Sequence, residues 1–483
     1  MKNIINKIKT ADKKRILIIG DVMLDEYIFG DVLRISPEAP VPILKEKKRE
    51  WSLGGASNVA LNCKQIGCFV DLIGVVNNLD KAAEKLISIL KKNRISCNGL
   101  VRSENRVTTC KKRLMSGNQQ LLRIDTEDTK ELSKTEFDEI ICKLDNLILP
   151  NTIVLVSDYA KGVLTEDILS EIIFKAKERS CLILLDPKGP NFDKYKGVNY
   201  LKPNFKEFDQ ILDFYDLNKK DSTINNGKKI CQILSLDGLI LTMGEKGIQF
   251  ISLKEDFFVP ACKKEVFDLT GAGDTVLAFL ALGLSVKLPM KQCLKLANHA
   301  AAVAVSHLKT YAVSLDELID KNVEFTEKIF TEWALLKIEL DWLRLENKRI
   351  VFTNGCFDLL HSGHVYLLNK AKKMGDILVV AINTDESVKR FKGESRPIKN
   401  VEERAKIIAA LNGVDFVVIF NQDTPKELIE YLKPDILVKG GDYKKEQVAG
   451  YDFMIKNGGK IEIIDFQKGF STTNLIKKIC TTN

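Results

Sequence analysis

The chain has 483 residues, 45% hydrophobic and 29% charged, and its net charge of +8 is spread along its length. That length exceeds what one core ordinarily serves, so more than one domain is expected. The dispersed charge lacks the concentrated basic stripe of a nucleic-acid binder and leaves anionic small substrates open.

Eleven cysteines without a Cys-x-x-Cys pair argue against a disulfide framework or a zinc centre and for a reducing compartment. The N-terminus, MKNIINKIKTADKK, interleaves lysines with its apolar residues and so lacks a signal-peptide core. The most apolar helical run, 276–286, is far short of the roughly 20 residues a membrane span needs. A cytoplasmic protein without membrane or nucleic-acid partners is expected.

In chain order, short apolar runs predict buried parallel strands: RILIIGD (15–21), TIVLVSDY (152–159) and CLILLDP (181–187). Between the first two, RVTTCKKRLMSGNQQLLRID (106–125) alternates around an SGN turn and predicts a half-exposed hairpin, suited to a flap over a site. The stretch 315–348 has no glycine or proline and shows helical spacing. It predicts a helical connector, with the domain boundary within it near residue 330. A second strand set follows: RIVFTNGCFD (349–358), DILVVAINTD (376–385), DFVVIF (415–420) and DILVKGGD (435–442). Each run ends in an acidic or glycine-bearing turn, where open α/β sheets place their ligands.

FDLTGAGDTVLAFLALGL (267–284) sets Gly271, Ala272 and Gly273 before an apolar helix. Converging N–H groups at a helix start make an anion site. Asp274 would repel a phosphate held there, unless it serves as the base for a hydroxyl attacking that phosphate. A helix-capping aspartate is the bland alternative. The turn is neither a Rossmann fingerprint, with Val276 at the third glycine position, nor a Walker loop.

This centre resembles the signature of the ribokinase-type sugar kinases over roughly the first 315 residues. The marks are Gly20-Asp21, GGASNVA (54–60), the Asn204-Phe205-Lys206-Glu207 element and the Gly-Ala-Gly-Asp turn, in that order. The resemblance implies a mostly parallel central sheet with a small antiparallel lid. It gives Asp274 as base, Gly271, Ala272 and Gly273 as anion hole, and Asp21, Gly55, Asn58, Asp158 and Lys161 as sugar-binding residues. Asn204, Phe205, Lys206, Glu207 and Asn298 would meet the nucleotide, with Glu207 ordering a magnesium ion through water. Lys309-Thr310 stands where the family's nucleotide loop has Gly before Thr; His299 and His307 are read mainly as packing.

Two of the chain's four histidines, His361 and His364, fall in CFDLLHSGH (356–364) at a helix start. Three residues apart they share a face and reach one ligand. Zinc needs three or four ligands, and no cysteine or further histidine lies near at metal spacing. TNGCFDLLHSGH resembles the signature of the cytidylyltransferase-like nucleotidyltransferases, a smaller Rossmann-like α/β fold. These transfer a nucleoside monophosphate to a phosphorylated alcohol and release pyrophosphate. The resemblance implies catalytic His361 and His364, and nucleotide contacts from Asn354, Gly355, Phe357, Asp385, Lys389, Arg404, Gly440, Asp442, Ser471, Thr472 and Thr473. After GFSTTN (469–474) the next lysine is Lys477, which leaves Lys389 or Lys392 to meet the leaving pyrophosphate.

The pairing resembles the bifunctional heptose-7-phosphate kinase and heptose-1-phosphate adenylyltransferase family of lipopolysaccharide precursor synthesis. It implies a kinase domain at 1–318, a connector at 319–347 and an adenylyltransferase domain at 348–483. The first would phosphorylate heptose 7-phosphate at its 1-hydroxyl; the second would adenylylate heptose 1-phosphate to ADP-heptose. ATP is the implied substrate and Mg2+ the implied ion, with K+ left open. A separate phosphatase would act between the steps, and a homodimer is the expected assembly. A cytidylyltransferase with other substrates and a non-catalytic sugar-phosphate sensor are the alternatives. Arg34, Lys111, Lys112 and Arg113, in or near the hairpin, are candidates for a phosphate already on the sugar.

Overall fold

A computed structural model describes residues 1–11, 15–117, 119–262, 266–307, 309–319, 328–345, 347–441 and 444–464. The chain divides into two compact units, Met1–Ile319 and Asp320–Asn483. In the first, the strands are β1 (Arg15–Gly20), β2 (Val22–Ile35), β3 (Pro42–Gly55), β4 (Phe69–Asn77), β5 (Leu100–Ser103), β6 (Thr109–Ser116), β7 (Gln119–Thr126), β8 (Ile153–Ser157), β9 (Leu182–Asp186), β10 (Tyr200–Leu201), β11 (Gly238–Thr242), β12 (Gly247–Ile251) and β13 (Asp256–Pro260).

Among the described residues these form two sheets. The central one runs β13-β12-β11-β10-β9-β8-β1-β4-β5, parallel except at β12 and β13. Its inner strands are apolar on both faces; all of Ile16–Ile19 and Val154–Val156 are fully buried, as a sheet flanked by helices requires. The runs at 15–21, 152–159 and 181–187 became β1, β8 and β9 as expected.

The smaller sheet, β3-β2-β6-β7, is the lid. The expected hairpin is β6 and β7, antiparallel as predicted. Its partners, the 14-residue β2 and β3, were not anticipated, and β2 pairs with β6 in parallel, so the lid is mixed rather than purely antiparallel.

In the second unit the strands are β14 (Ile329–Phe330), β15 (Ile350–Gly355), β16 (Ile377–Asn383), β17 (Phe416–Phe420), β18 (Ile436–Gly440) and β19 (Lys460–Ile464), in the all-parallel order β14-β17-β16-β15-β18-β19. The expected connector needs correction here. Helix Trp333–Leu345 does form, but Leu336 and Leu340 are fully buried in this unit's core, and β14 extends its sheet. An apolar helical stripe must bury itself somewhere; this one belongs to the second unit rather than standing between the two. Among the described residues no helix is long and apolar enough to cross a membrane.

Candidate active sites

In the first unit β1 lies between β8 and β4, where the strand order reverses, and the crevice beyond the strand ends there is the expected ligand site. Asp21 follows β1, Asp158 follows β8, Asp186 ends β9 and Lys202 follows β10. Gly55, at φ 53°, starts helix Ala56–Gln65 so close to Asp21 that a Cβ would stand 2.5 Å from the Asp21 carbonyl oxygen. Only glycine adopts that turn freely.

Asp21 Oδ2 accepts the N–H groups of Tyr159 (2.8 Å) and Lys161 (3.1 Å). Its Oδ1 is enclosed with no partner. Burial, and then Asp158, push its pKa to about 6. An enclosed acceptor without a donor is costly, and a sugar hydroxyl would supply one.

Asp274 sits in the first turn of helix Ala272–Ser285, 3% exposed. Asn58 Nδ2 donates to its Oδ2 at 2.7 Å and the Tyr159 hydroxyl to its Oδ1 at 2.8 Å. Burial raises its pKa to about 6, with Asp186 adding to the rise against Asn58, Tyr159 and Lys202. The carboxylate is therefore fixed in direction and made more basic than a surface aspartate. Gly271 caps the helix at φ 81°, and a Cβ there would stand 2.9 Å from Asn58 Nδ2. Ala272 N–H makes a long 3.3 Å turn bond to Leu269 O. A Cβ on Gly273 would stand 3.6 Å from Lys202 Nζ, so the turn looks onto the buried Lys202–Asp186 pair, 2.9 Å apart.

Several expected contacts are instead spent within the protein. Asp158 accepts from Ala160 N–H, Lys194 Nζ and the Tyr195 hydroxyl, so it shapes the turn around Asp21 rather than facing a ligand. Lys161 joins the site through its backbone N–H, its ammonium pairing with Glu127 at 2.8 Å. Asn204 and Glu207 form a reciprocal capping box at helix Phe205–Phe214, and Glu207 also pairs with Lys188 at 2.9 Å. Phe205 and Lys206 are exposed at that helix start. Asn298 donates to Pro260 O at 2.6 Å. His307 stacks on Tyr311 at 3.7 Å, and His299 meets Cys262 Sγ, both packing roles.

Among the described residues no group of three metal-ligating side chains converges. The donor set fits a magnesium ion held largely by phosphates and water, as that ion prefers, with Asp186 and Glu207 as the nearby carboxylates. Lys309 has φ 72°, the left-handed backbone that glycine adopts without strain. Its ammonium pairs with Glu50 of the lid.

Strand alternation sorts the lid cations. Lys111 and Arg113 lie opposite Asp25 and Tyr27 in the β2–β6 register, and Lys112 lies opposite Glu26 on the other face. Arg34 is exposed near the end of β2. Tyr159, Lys202 and Asp186, none singled out in the sequence, complete the site. Tyr159 and Asp186 lie in the ends of the strand runs at 152–159 and 181–187, and Lys202 just precedes the Asn204–Glu207 element, positions with no spacing rule of their own.

In the second unit β15 lies between β16 and β18, again at the reversal of strand order. Asn354 and Gly355 end β15, and Lys439 of β18 donates to Asn354 Oδ1 at 3.0 Å. Helix Ser362–Lys372 follows with His361 at its cap and His364 in its first turn. The two imidazoles stack at 3.9 Å, and His364 packs edge-on against Phe357, itself at φ 47°. Both Nδ1 atoms are buried without a partner.

Burial lowers the pKa of His361 and carries that of His364 to about 4, with His361 and Lys392 adding to the latter. The pair therefore presents neutral imidazoles. Positive charge at the site falls to lysines: Lys392 beside His364, and Lys439 across the strand end.

Arg404 was expected at the nucleotide but is 1% exposed, with all three guanidinium nitrogens engaged, on Lys399 O, Cys356 O, Asn383 O and Asp385 Oδ1. It clasps the loops that carry the site, and Asp385, which also accepts from Val401 N–H, is its partner rather than a free acceptor. Lys389 is surface-exposed and pairs with Glu394. Gly440 ends β18 at the crevice. Asp442, Ser471, Thr472 and Thr473 lie outside the described residues.

Fold and sites together define a carbohydrate kinase joined to a nucleotidyltransferase. The pfkB family carbohydrate kinase model matches residues 13–317, and the cytidylyltransferase-like model matches residues 352–477. The chain is 45% identical over 474 residues to the bifunctional protein HldE of Campylobacter jejuni, covering 97% of this chain and 98% of that one. It is 41% identical over 469 residues to the HldE of Haemophilus influenzae, covering 96% and 97%. Phosphofructokinase-2 from Escherichia coli shares the fold of the first unit, with a TM-score of 0.54 at 17% identity over 63% of this chain and 97% of that one. The chain belongs to the family of the bifunctional HldE proteins.

Proposed function

We propose that this chain carries out two steps of ADP-heptose synthesis for the lipopolysaccharide core. Its first unit transfers the γ-phosphoryl of ATP to the 1-hydroxyl of D-glycero-β-D-manno-heptose 7-phosphate. Its second transfers the adenylyl group of a second ATP to heptose 1-phosphate, releasing pyrophosphate. The intervening 7-phosphate is removed by a separate phosphatase.

In the first step Asp21, with one oxygen enclosed and unpartnered, accepts a sugar hydroxyl and orients the ring. Asp274 takes the proton of the 1-hydroxyl as that oxygen attacks phosphorus, and Asn58 and Tyr159 hold the base in line. The Gly271–Gly273 turn and Lys202 face the charge that builds on the transferred phosphoryl. Asp186 and Glu207 would hold, through water, a magnesium ion beside the ATP phosphates, where it would supply charge neutralisation.

In the second step the attacking sugar phosphate is already a nucleophile, so no base is required. His361 and His364 offer neutral donors to the ATP phosphates, with Lys439 and Lys392 supplying cationic charge. Phe357 braces the pair, while Arg404 and Asp385 hold the loops.

The observation that carries the reading is the pair of incomplete polar centres, one per unit, each at the reversal point of its own sheet. The alternatives have less support: a sensor has no need of a base raised to about 6, and CTP use has no residue of its own to point to. Two assays test the proposal. ATP consumption should require heptose 7-phosphate, and pyrophosphate release should require heptose 1-phosphate with ATP and not with CTP. Dependence on CTP in the second assay would replace the adenylyl assignment with a cytidylyl one.

A further inference from the structure

The turn between β15 and helix Ser362–Lys372 carries, besides the two histidines, a deeply buried carboxylate. Asp358 is 3% exposed. Its Oδ1 accepts the N–H groups of Ile398 (2.7 Å) and Lys399 (3.2 Å), and its Oδ2 accepts from Arg396 Nη1 at 2.5 Å. A charge at this depth is costly unless a counter-charge and donors compensate it, and here one guanidinium and two amides do. Both oxygens are engaged within the protein, so Asp358 has neither the open face of a metal ligand nor that of a base.

The three donors lie on one stretch, 393–400, which joins helix Asp385–Lys392 to helix Val401–Ala409. That stretch begins just after Lys392, the cation beside His364. Gly393 leaves the helix at φ 89°, and the Arg396 N–H closes a turn onto Gly393 O at 3.1 Å. The far end is tied separately by Arg404, which donates to Lys399 O and to Cys356 O. At the near end the tie to the histidine turn is the Asp358–Arg396 pair, one short turn from Lys392.

We propose that Asp358 is a positioning residue of adenylyl transfer, pinning the 393–400 stretch to the histidine turn so that Lys392 stays beside His364 at the ATP phosphates. The inference rests on the adenylyltransferase reading of the second unit. Phosphate charge grows as the adenylyl group is transferred, and a cation is most effective when it is already in place. An anchored backbone leaves only the lysine side chain to be ordered at that moment. Asp358 touches no reacting atom; it acts through Lys392.

The test is a double-mutant cycle in the full-length chain, read as pyrophosphate release from ATP and heptose 1-phosphate. Asp358→Asn keeps an acceptor for the two amides but sets an uncharged amide against Arg396. It should lower kcat on the order of 10- to 100-fold, the effect of misplacing a catalytic group by about 1 Å, with KM for ATP changed less. Lys392→Met should show its own loss, and adding Asp358→Asn to it should cost less than about threefold more. Arg396→Gln, which leaves the carboxylate its amides, should repeat the pattern at smaller amplitude, and it carries the test if Asp358→Asn melts early. A residue that merely held the fold would lower activity by the same factor with or without Lys392. Losses that multiply in the double variants would therefore overturn the inference, as would Asp358→Asn and Arg396→Gln variants that both turn over like wild type. If wild type releases no pyrophosphate, the adenylyltransferase reading itself falls, a separate failure.

Discussion

Replacing Asp274 by Asn should abolish sugar phosphorylation while making the kinase unit more stable at neutral pH. The carboxyl is 3% exposed and its pKa is raised from 3.8 to about 6, chiefly by burial. Because the folded value lies above the unfolded one, the neutral form contributes stability that is fully present below about 3.8 and lost as pH rises through about 6. At about 1.4 kcal/mol per pH unit, ionising it in the fold costs about 3 kcal/mol at pH 7.5. Asn carries no such cost and keeps one acceptor for Asn58 Nδ2. The gain should fall below that ceiling, since one of the two hydrogen bonds must be rearranged. Urea denaturation of wild type and variant at pH 7.5 and at pH 4.5 reads it directly. The variant should be more stable by about 1 to 3 kcal/mol at pH 7.5, with the gap closing at the lower pH, while turnover drops by about 100-fold or more. A variant less stable than wild type at pH 7.5, or turning over within tenfold of it, would refute the account of this carboxylate as a base kept charged at a cost.

Three further outcomes follow from the geometry. Kinase kcat/KM should rise with pH through about 6 as Asp274 loses its proton, and Tyr159→Phe, which removes a donor favouring the carboxylate, should move that limb upward by about one pH unit; an unmoved limb would leave Tyr159 a packing residue. His361→Ala and His364→Ala should each slow adenylyl transfer by about 100-fold, roughly the 3 kcal/mol worth of a preorganised donor, and leave the kinase untouched. The double variant should be less impaired than the sum, because the stacked rings serve the same phosphates, and normal turnover in both single variants would make the pair structural. Separating the chain between Ile319 and Asp320 should give a first fragment that phosphorylates the sugar and a second that transfers the adenylyl group, whereas a cut near residue 345 should leave the second insoluble, since Leu336 and Leu340 belong to its core.

The strands at the two sites were legible because a strand buried on both faces is a continuous apolar run, and its terminal Asp or Gly marks the ligand end. The turn Gly271–Gly273 and the pair His361 and His364 were legible because a helix start needs few residues and imposes a spacing. Strands β2 and β3 were not, since neither alternates: Val22–Tyr27 is buried throughout although it carries Asp25 and Glu26, and KEKKRE at 45–50 is charged and largely exposed on both faces. Asp158 and Arg404 were found but given the wrong partners: a motif fixes where a residue sits along the chain, while its hydrogen bonds depend on residues such as Lys194, Tyr195 and Cys356 that the fold brings near. Tyr159 was missed for the same reason, its role arising from contact with Asp274, 115 positions away. Helix Trp333–Leu345 was read correctly as a helix, but periodicity alone does not say which core takes its apolar stripe.

The proposed function requires one chain to perform both steps of a sequence interrupted by a dephosphorylation. It is tested most directly by incubating the full-length protein with ATP, magnesium and heptose 7-phosphate, with and without an added sugar-bisphosphate 7-phosphatase, and following the products by mass spectrometry. Heptose 1,7-bisphosphate should accumulate alone without the phosphatase, and ADP-heptose and pyrophosphate should appear only when it is present. Formation of an adenylylated sugar without the phosphatase, or no bisphosphate at all, would contradict it.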